Sequence, residues 1–178
     1  IVLITSFNFI YSMIVSGFGL VVLPSEAAKL WPEKNSFFLG VMLLVIGASQ
    51  LVCPAAGYYS DNFKSQYGRR RPFIVLGAVI FIQGIAAMAS CASLKMAFGY
   101  CMGLAIANLG INVAYTAQTA LLPDIVGVSN MGKASGIAAV QGLLGSAFTF
   151  IFVLYFNYNK SMQPMYFLYV MLTTALVI

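Results

Sequence analysis

The chain has no histidine, only four acidic residues and a charged fraction of 7% over 178 residues. A soluble domain carries about 25% charged residues. With no His, no CxxC and no Cys/His spacing, zinc, haem and His-based catalysis find neither ligand nor base, and no metal or cofactor is expected. No nucleophile–base pair stands out either, so enzymatic chemistry is not expected. Cys53 and Cys101 sit in apolar runs and read as small apolar residues, with Cys91 at the end of another. The net charge of +5 comes mostly from one short stretch, which excludes an extended nucleic-acid-binding face.

Apolar residues fill the space that charge leaves, at 61% of the chain. Six apolar stretches approach the roughly 20 residues needed to cross a bilayer. They are Ile1–Leu23, Ser36–Tyr59, Pro72–Ser90, Leu94–Leu122, Asn130–Phe156 and Pro164–Ile178. The expected fold is an all-α integral membrane protein of six transmembrane helices, with the lipid bilayer as its surroundings. The first stretch lacks a basic start and is as long as a full span, unlike a signal peptide. The chain opens without Met and stops inside a short apolar run, which reads as a fragment of a longer protein. Boundary signals accompany the spans. Pro24 follows the first, Asn35-Ser36 suits an N-cap of the second, and Pro72 suits the first turn of the third. Ser93 reads as a cap of the fourth and Pro123 as its end; Ser129-Asn130 reads as a cap of the fifth, and Pro164 opens the sixth.

Between the second and third spans lies an island of charge, Gly57–Pro72. It holds Lys64, Arg69, Arg70 and Arg71, four of the nine basic residues, together with Asp61. Cytoplasmic loops carry Lys and Arg in excess, so this loop is expected in the cytoplasm, with the N-terminus on the same side. Elsewhere the loops carry little net charge: Glu26, Lys29, Glu33 and Lys34 cancel, and Lys95 and Lys160 stand alone.

Polar side chains in a span normally face protein or a water-filled cavity. In the first span Thr5, Asn8, Ser12 and Ser16 fall within about 80° of helical arc, and in the fourth Asn108, Asn112, Tyr115 and Thr119 fall within about 60°. The third span offers only Gln83 between its ends. The first and fourth spans therefore read as cavity walls, and the third and sixth as lipid-facing supports. The alternative is that the stripes are hydrogen-bond glue between helices, each bond contributing under about 1 kcal/mol. Gly99/Gly103 and Gly132/Gly136 form GxxxG pairs that suit close helix packing. No acidic residue falls in mid-membrane on these boundaries, with Glu26 placed past the end of the first span.

Gly57-x3-Asp61, followed by Gly68-Arg69-Arg70-Arg71, resembles the loop signature between the second and third helices of the major facilitator superfamily. The form Ser60-Asp61 … Gly68-Arg-Arg-Arg-Pro-Phe is similar to that of its sucrose symporter and glycoside-pentoside-hexuronide branch, as is Ala120-Leu121-Leu122-Pro123-Asp124. The resemblance implies that residues 1–178 are the N-terminal half of a twelve-helix transporter, built as a 3+3 inverted repeat, with the C-terminal half missing. It implies secondary active transport of a sugar or similar small polar solute by alternating access, through proton-coupled symport. The cavity residues would be Asn8, Ser12, Asn108, Asn112, Tyr115 and Thr119. The latch between conformers would be Gly57, Asp61, Gly68, Arg69, Arg70, Arg71 and Asp124. Asp61 would face a helix N-terminus of the other half, and the arginines would pair with Asp124 or simply anchor topology. Two departures narrow the branch. The intramembrane acids of sodium–sugar symporters have no counterpart, and the fifth span reads Gly136-Ile-Ala-Ala-Val-Gln141-Gly142 without the Gly-Pro of drug–proton antiporters. An uncoupled facilitator and a non-transporting scaffold or sensor on the same fold remain alternatives.

Overall fold

The computed structural model describes residues 2–66, 68–156 and 162–177. Ile1, the loop at Lys160 and Ile178, on which boundary expectations fall, lie outside the described residues. Helices dominate, and no strand occurs among the described residues. The first span runs through α1 (Val2–Gly17), a π turn (Phe18–Val22) and α2 (Leu23–Leu30). The second comprises α3 (Asn35–Ser49) and α4 (Val52–Asn62). Then come α5 (Arg71–Ser93), α6 (Ala97–Ile125), α7 (Met131–Phe156) and α8 (Gln163–Val177). Five helical runs are long and apolar enough to cross a membrane: Thr5–Leu30, Pro32–Asn62, Arg71–Ser93, Ala97–Ile125 and Met131–Tyr155. The sixth expected span is represented by the 15 residues of α8. At 1.5 Å per residue these reach about 22 Å, short of a hydrocarbon core of about 30 Å.

Two helix pairs organise the bundle. α5 and α6 pack along their lengths, and α1 packs on α7. The first contact is closest where side chains vanish. A Cβ on Gly77 would stand 2.6 Å from the Gly110 carbonyl oxygen, and Cβ atoms on Gly84 and Gly110 would meet the Ala107 and Phe81 backbone. Without a hydrophobic drive between helices in lipid, such close approach supplies the dispersion contact that holds them. Gly103 belongs to this seam, with Met88 N 2.9 Å from its would-be Cβ, whereas Gly132 and Gly136 have open space around them. The first and fourth spans are the most buried; the second and fifth are the least. Leu44, Leu51, Leu143 and Leu154 turn outward from those two.

Several boundaries differ from the sequence reading, each for a local reason. Pro24 does not end the first span. It falls in the first turn of α2, directly after the wide π turn that makes room for its ring, and the helix continues to Leu30. Conversely, the second span is not continuous. α3 stops at Ser49 and α4 restarts at Val52, with Pro54 in its first turn, where a missing N–H leaves no bond unmade. Pro123 lies inside α6, which closes with Val126 N–H donating to the Leu122 carbonyl at 2.9 Å. Ser93 caps nothing: its hydroxyl donates back to Ala89 O, and Met96 precedes α6 without a side-chain cap. The start of α3 likewise lacks a side-chain cap, and Ser36 Oγ donates to Asn35 Oδ1 instead. Finally, α5 and α8 are more than lipid-facing supports. α5 buries Gly77, Phe81, Gly84 and Met88, and α8 buries Tyr166 and Tyr169.

Candidate functional site

The polar residues of the fourth span divide between two cavities. Thr119 lines the larger, of about 190 Å³, with Thr5, Asn8, Gln118 and Ser135. Asn108 and Asn112 line the smaller, of about 110 Å³, with Tyr11, Ile14, Phe18 and Gln50. Tyr115 lies between them in register, stacked on Tyr11 with ring centroids 3.7 Å apart and planes 11° from parallel. Phe7 also stacks on Tyr115, with ring centroids 6.4 Å apart.

Local hydrogen bonding decides what each side chain can still offer. Asn108 Nδ2 donates to Leu104 O at 3.0 Å, and Asn112 Nδ2 donates to Ser49 Oγ at 3.2 Å. Both amides are buried, and among the described residues neither Oδ1 accepts a bond. Thr119 donates to its own helix, at Tyr115 O and Thr116 O. Asn8 Nδ2 donates to Thr5 O at 3.2 Å.

The first-span stripe does not act as one wall. Ser12 faces α7, its Oγ 3.0 Å from where Gly142 would carry a Cβ. Ser16 bonds Ser146 of α7 at 2.8 Å, and Thr149 of α7 donates to Met13 O at 2.8 Å. These three are inter-helix contacts of the glue type, while Thr5 and Asn8 reach the larger cavity.

At the basic end of the bundle a charge cluster joins three spans. Arg70, with 8% of its surface exposed, donates through Nε to Asp124 Oδ2 at 2.7 Å and pairs through Nη1 with Asp61 Oδ1 at 2.8 Å. Arg69 Nη2 reaches the same Asp124 oxygen at 3.2 Å. The bond to Asp124 holds the Arg70 proton more tightly than usual, against the opposing effect of burial. Arg71 makes no ion pair among the described residues and borders an apolar surface groove with Pro72, Val75 and Leu76. Gly68 has φ +96, the left-handed region that suits glycine, and it turns the chain into the arginines. Gly57 brings α4 close to Thr116 of α6, whose Cγ2 stands 3.5 Å from the would-be Cβ.

One group that the sequence reading placed past the end of the first span lies within it. Because the first span runs on to Leu30, Glu26 lies inside it, 4% exposed and paired with Lys29 at 3.3 Å. It shares the opposite end of the bundle with the buried hydroxyl pair Tyr100–Tyr166, 2.8 Å apart. Gln50 and Tyr11 were missed as well. A single Gln at a span centre carries no periodic signal, and a Tyr in an apolar run reads as core.

Part of this chain is similar to sucrose transport proteins. It is 32% identical over 115 residues to sucrose transport protein SUC4 of Arabidopsis thaliana, a match covering 54% of this chain and 22% of that relative. Sucrose transport protein SUT1 of Oryza sativa, in both the japonica and indica subspecies, is 27% identical over 109 residues, covering 51% of this chain and 20% of the relative. The matched stretch thus spans about a fifth of the length of these relatives. No family model matches the chain, and no solved structure matches it.

Proposed function

We propose that this chain is the N-terminal six-helix half of a major facilitator transporter that moves a sugar or similar small polar solute by proton-coupled symport. The observation that carries this reading is the pair of amide- and hydroxyl-lined cavities inside a bundle of apolar spans, in a chain partly similar to sucrose transport proteins. Polar groups are costly in a membrane unless they serve packing or a path for solute, and Asn108 and Asn112 turn unpaired carbonyl oxygens to a cavity.

One helix pairing supports a 3+3 inverted repeat, although the extensive α5–α6 contact has only a slight counterpart between α8 and α1. Under that symmetry the first, second and third spans map onto the fourth, fifth and sixth. The contact of the first span with the fifth is then the image of the contact of the fourth with the second, and both occur. The burial pattern follows the same mapping, first with fourth and second with fifth. The least buried spans would face the second half of the transporter.

In this reading the basic end is cytoplasmic, and the Arg70 cluster ties the second span to the fourth while the outward-facing state persists. Glu26 supplies a buried carboxylate that ion coupling calls for. The test is uptake of a panel of labelled sugars by the full-length protein in cells, with and without a protonophore. Uptake of a sugar that the protonophore collapses is the expected result. Uptake insensitive to the protonophore would establish a facilitator instead. Failure to move any sugar at confirmed surface expression overturns the reading.

A further inference from the structure

We propose that Gln50 is the hydrogen-bond donor that reads a hydroxyl of a polyhydroxyl solute seated in the smaller cavity, and so determines which solutes the protein accepts. The inference rests on the transport reading above and adds to it a residue that neither periodicity nor motif singles out.

Gln50 occupies the break between α3 and α4. Across the cavity from it stand Phe18 and Gly19, the first two residues of the π turn. Two departures from α-helical geometry, in consecutive spans, therefore flank one cavity. Interrupted helices and π turns recur where membrane proteins bind solute, because irregular backbone at membrane depth persists only against protein or water. The side-chain amide of Gln50 is exposed and meets no hydrogen-bond partner among the described residues. It thus differs from Ser60, Thr116, Thr173 and Thr174, each of which donates to a carbonyl of its own helix.

Asn108 and Asn112 each have one N–H committed, to Leu104 O and Ser49 Oγ, and turn free carbonyl oxygens to the cavity. Those oxygens can take the proton of a solute hydroxyl but cannot serve its oxygen. A sugar hydroxyl donates and accepts together. Gln50 Nε2 supplies a donor that is not tied to its own helix, and Ile14, Val15 and Ile46 supply an apolar wall for the C–H face of the ring.

The test uses purified full-length protein and labelled sucrose, with monodeoxy sucroses as competitors. A site that hydrogen-bonds a hydroxyl rejects the analogue lacking it, because its buried polar groups are left unpaired. The parent is expected to reject at least one monodeoxy sucrose by about tenfold or more, the worth of one net hydrogen bond. Gln50→Leu is expected to bind sucrose about tenfold more weakly and to bind that same analogue as the parent does, so that discrimination falls to about one. Gln50→Asn, one methylene shorter and still a donor, answers the same question if the leucine variant fails to fold; partial loss of discrimination is expected. Unchanged discrimination in whichever variant folds overturns the proposal. If Asn112→Leu weakens sucrose binding while Gln50→Leu matches the parent, the role of Gln50 is lost and the transport reading stands. If the parent neither binds nor moves any sugar, the transport reading fails and takes this assignment with it.

Discussion

Arg70 shows how one side chain can hold charges that the helices around it disfavour. Asp61 lies at the C-terminal end of α4 and Asp124 at the C-terminal end of α6, where the helix dipole opposes negative charge. Arg70 precedes the N-terminus of α5, where the dipole opposes positive charge. Each group sits at the wrong pole, and their mutual pairing restores the balance. The guanidinium is the right group for the task, because its planar fork reaches two carboxylates in different directions while an ammonium is a single point. Arg70→Lys is therefore expected to lower transport turnover severalfold while leaving solute affinity near the parent value, read from uptake kinetics at matched surface expression. Arg69, more than half exposed and holding one longer contact, is worth less. Arg69→Ala should change thermal stability by under about 1 kcal/mol, the range of exposed pairs. The raised pKa of Arg70 keeps its charge past the ordinary arginine range, so alkaline titration of this residue will not open the cluster; in acid the pairing is lost as pH falls below the ordinary carboxylate range, where Asp124, held low chiefly by its bond from Arg70, takes up a proton. In the cavity, Asn112→Leu removes one acceptor and the bond to Ser49, whose hydroxyl still donates to Ile46 O at 2.7 Å. Solute affinity should fall by about tenfold, against no change for Val79→Leu on the exposed face of α5.

Among the elements, α5 and α6 define what the bundle tolerates. Their glycine seam leaves no space for a methyl group, since a Cβ on Gly84 would run into the Ala107 backbone. Gly84→Ala is expected to destabilise the protein by about 1–3 kcal/mol, as overpacking does. Gly136→Ala, with nothing within 4 Å of the added atom, should be neutral or slightly stabilising. Thermal unfolding in detergent compares the two. The same pair marks the limit of sequence reading. Gly99/Gly103 and Gly132/Gly136 satisfy the GxxxG pattern while Gly77 and Gly84 do not, yet Gly77, Gly84 and Gly103 lie in the tight seam and Gly132 and Gly136 in open space, so only the facing helix decides which matters. Prolines divide in the same way. Pro24, Pro54 and Pro123 are alike in sequence as interruptions, yet the chain passes through the first by a π turn, restarts a helix at the second and carries the third inside α6. What decides is the space and backbone bonding of the neighbouring turn, which a linear pattern does not contain. Misreading Pro24 as a stop is what hid Glu26. By contrast, the basic loop, the pairing of Arg69 and Arg70 with Asp124 and the amides of α6 were legible, because charges and amides are so scarce in this chain that each stands out.

For the molecule as a whole, orientation follows from the one concentration of positive charge. A cysteine placed at the exposed Gln66 should resist a membrane-impermeant thiol reagent in intact cells and react once the cells are permeabilised. Labelling of intact cells would place the Arg70 cluster outside and remove it as a cytoplasmic latch. The native Cys53, Cys91 and Cys101 are each partly buried, so the comparison with the parent protein sets the background.

The stacked rings of Tyr11 and Tyr115 carry a consequence for electrical insulation. At 3.7 Å between centroids no file of water passes between them, so the two cavities on either side are not joined at that point. On the proposed transport reading, a resting protein built this way does not short-circuit an ion gradient through its solute path. Parting the rings then has to coincide with solute occupancy. On the same reading, Tyr115→Ala opens the space between the two cavities, and the variant is expected to pass a proton current in the absence of any sugar, where the parent passes none.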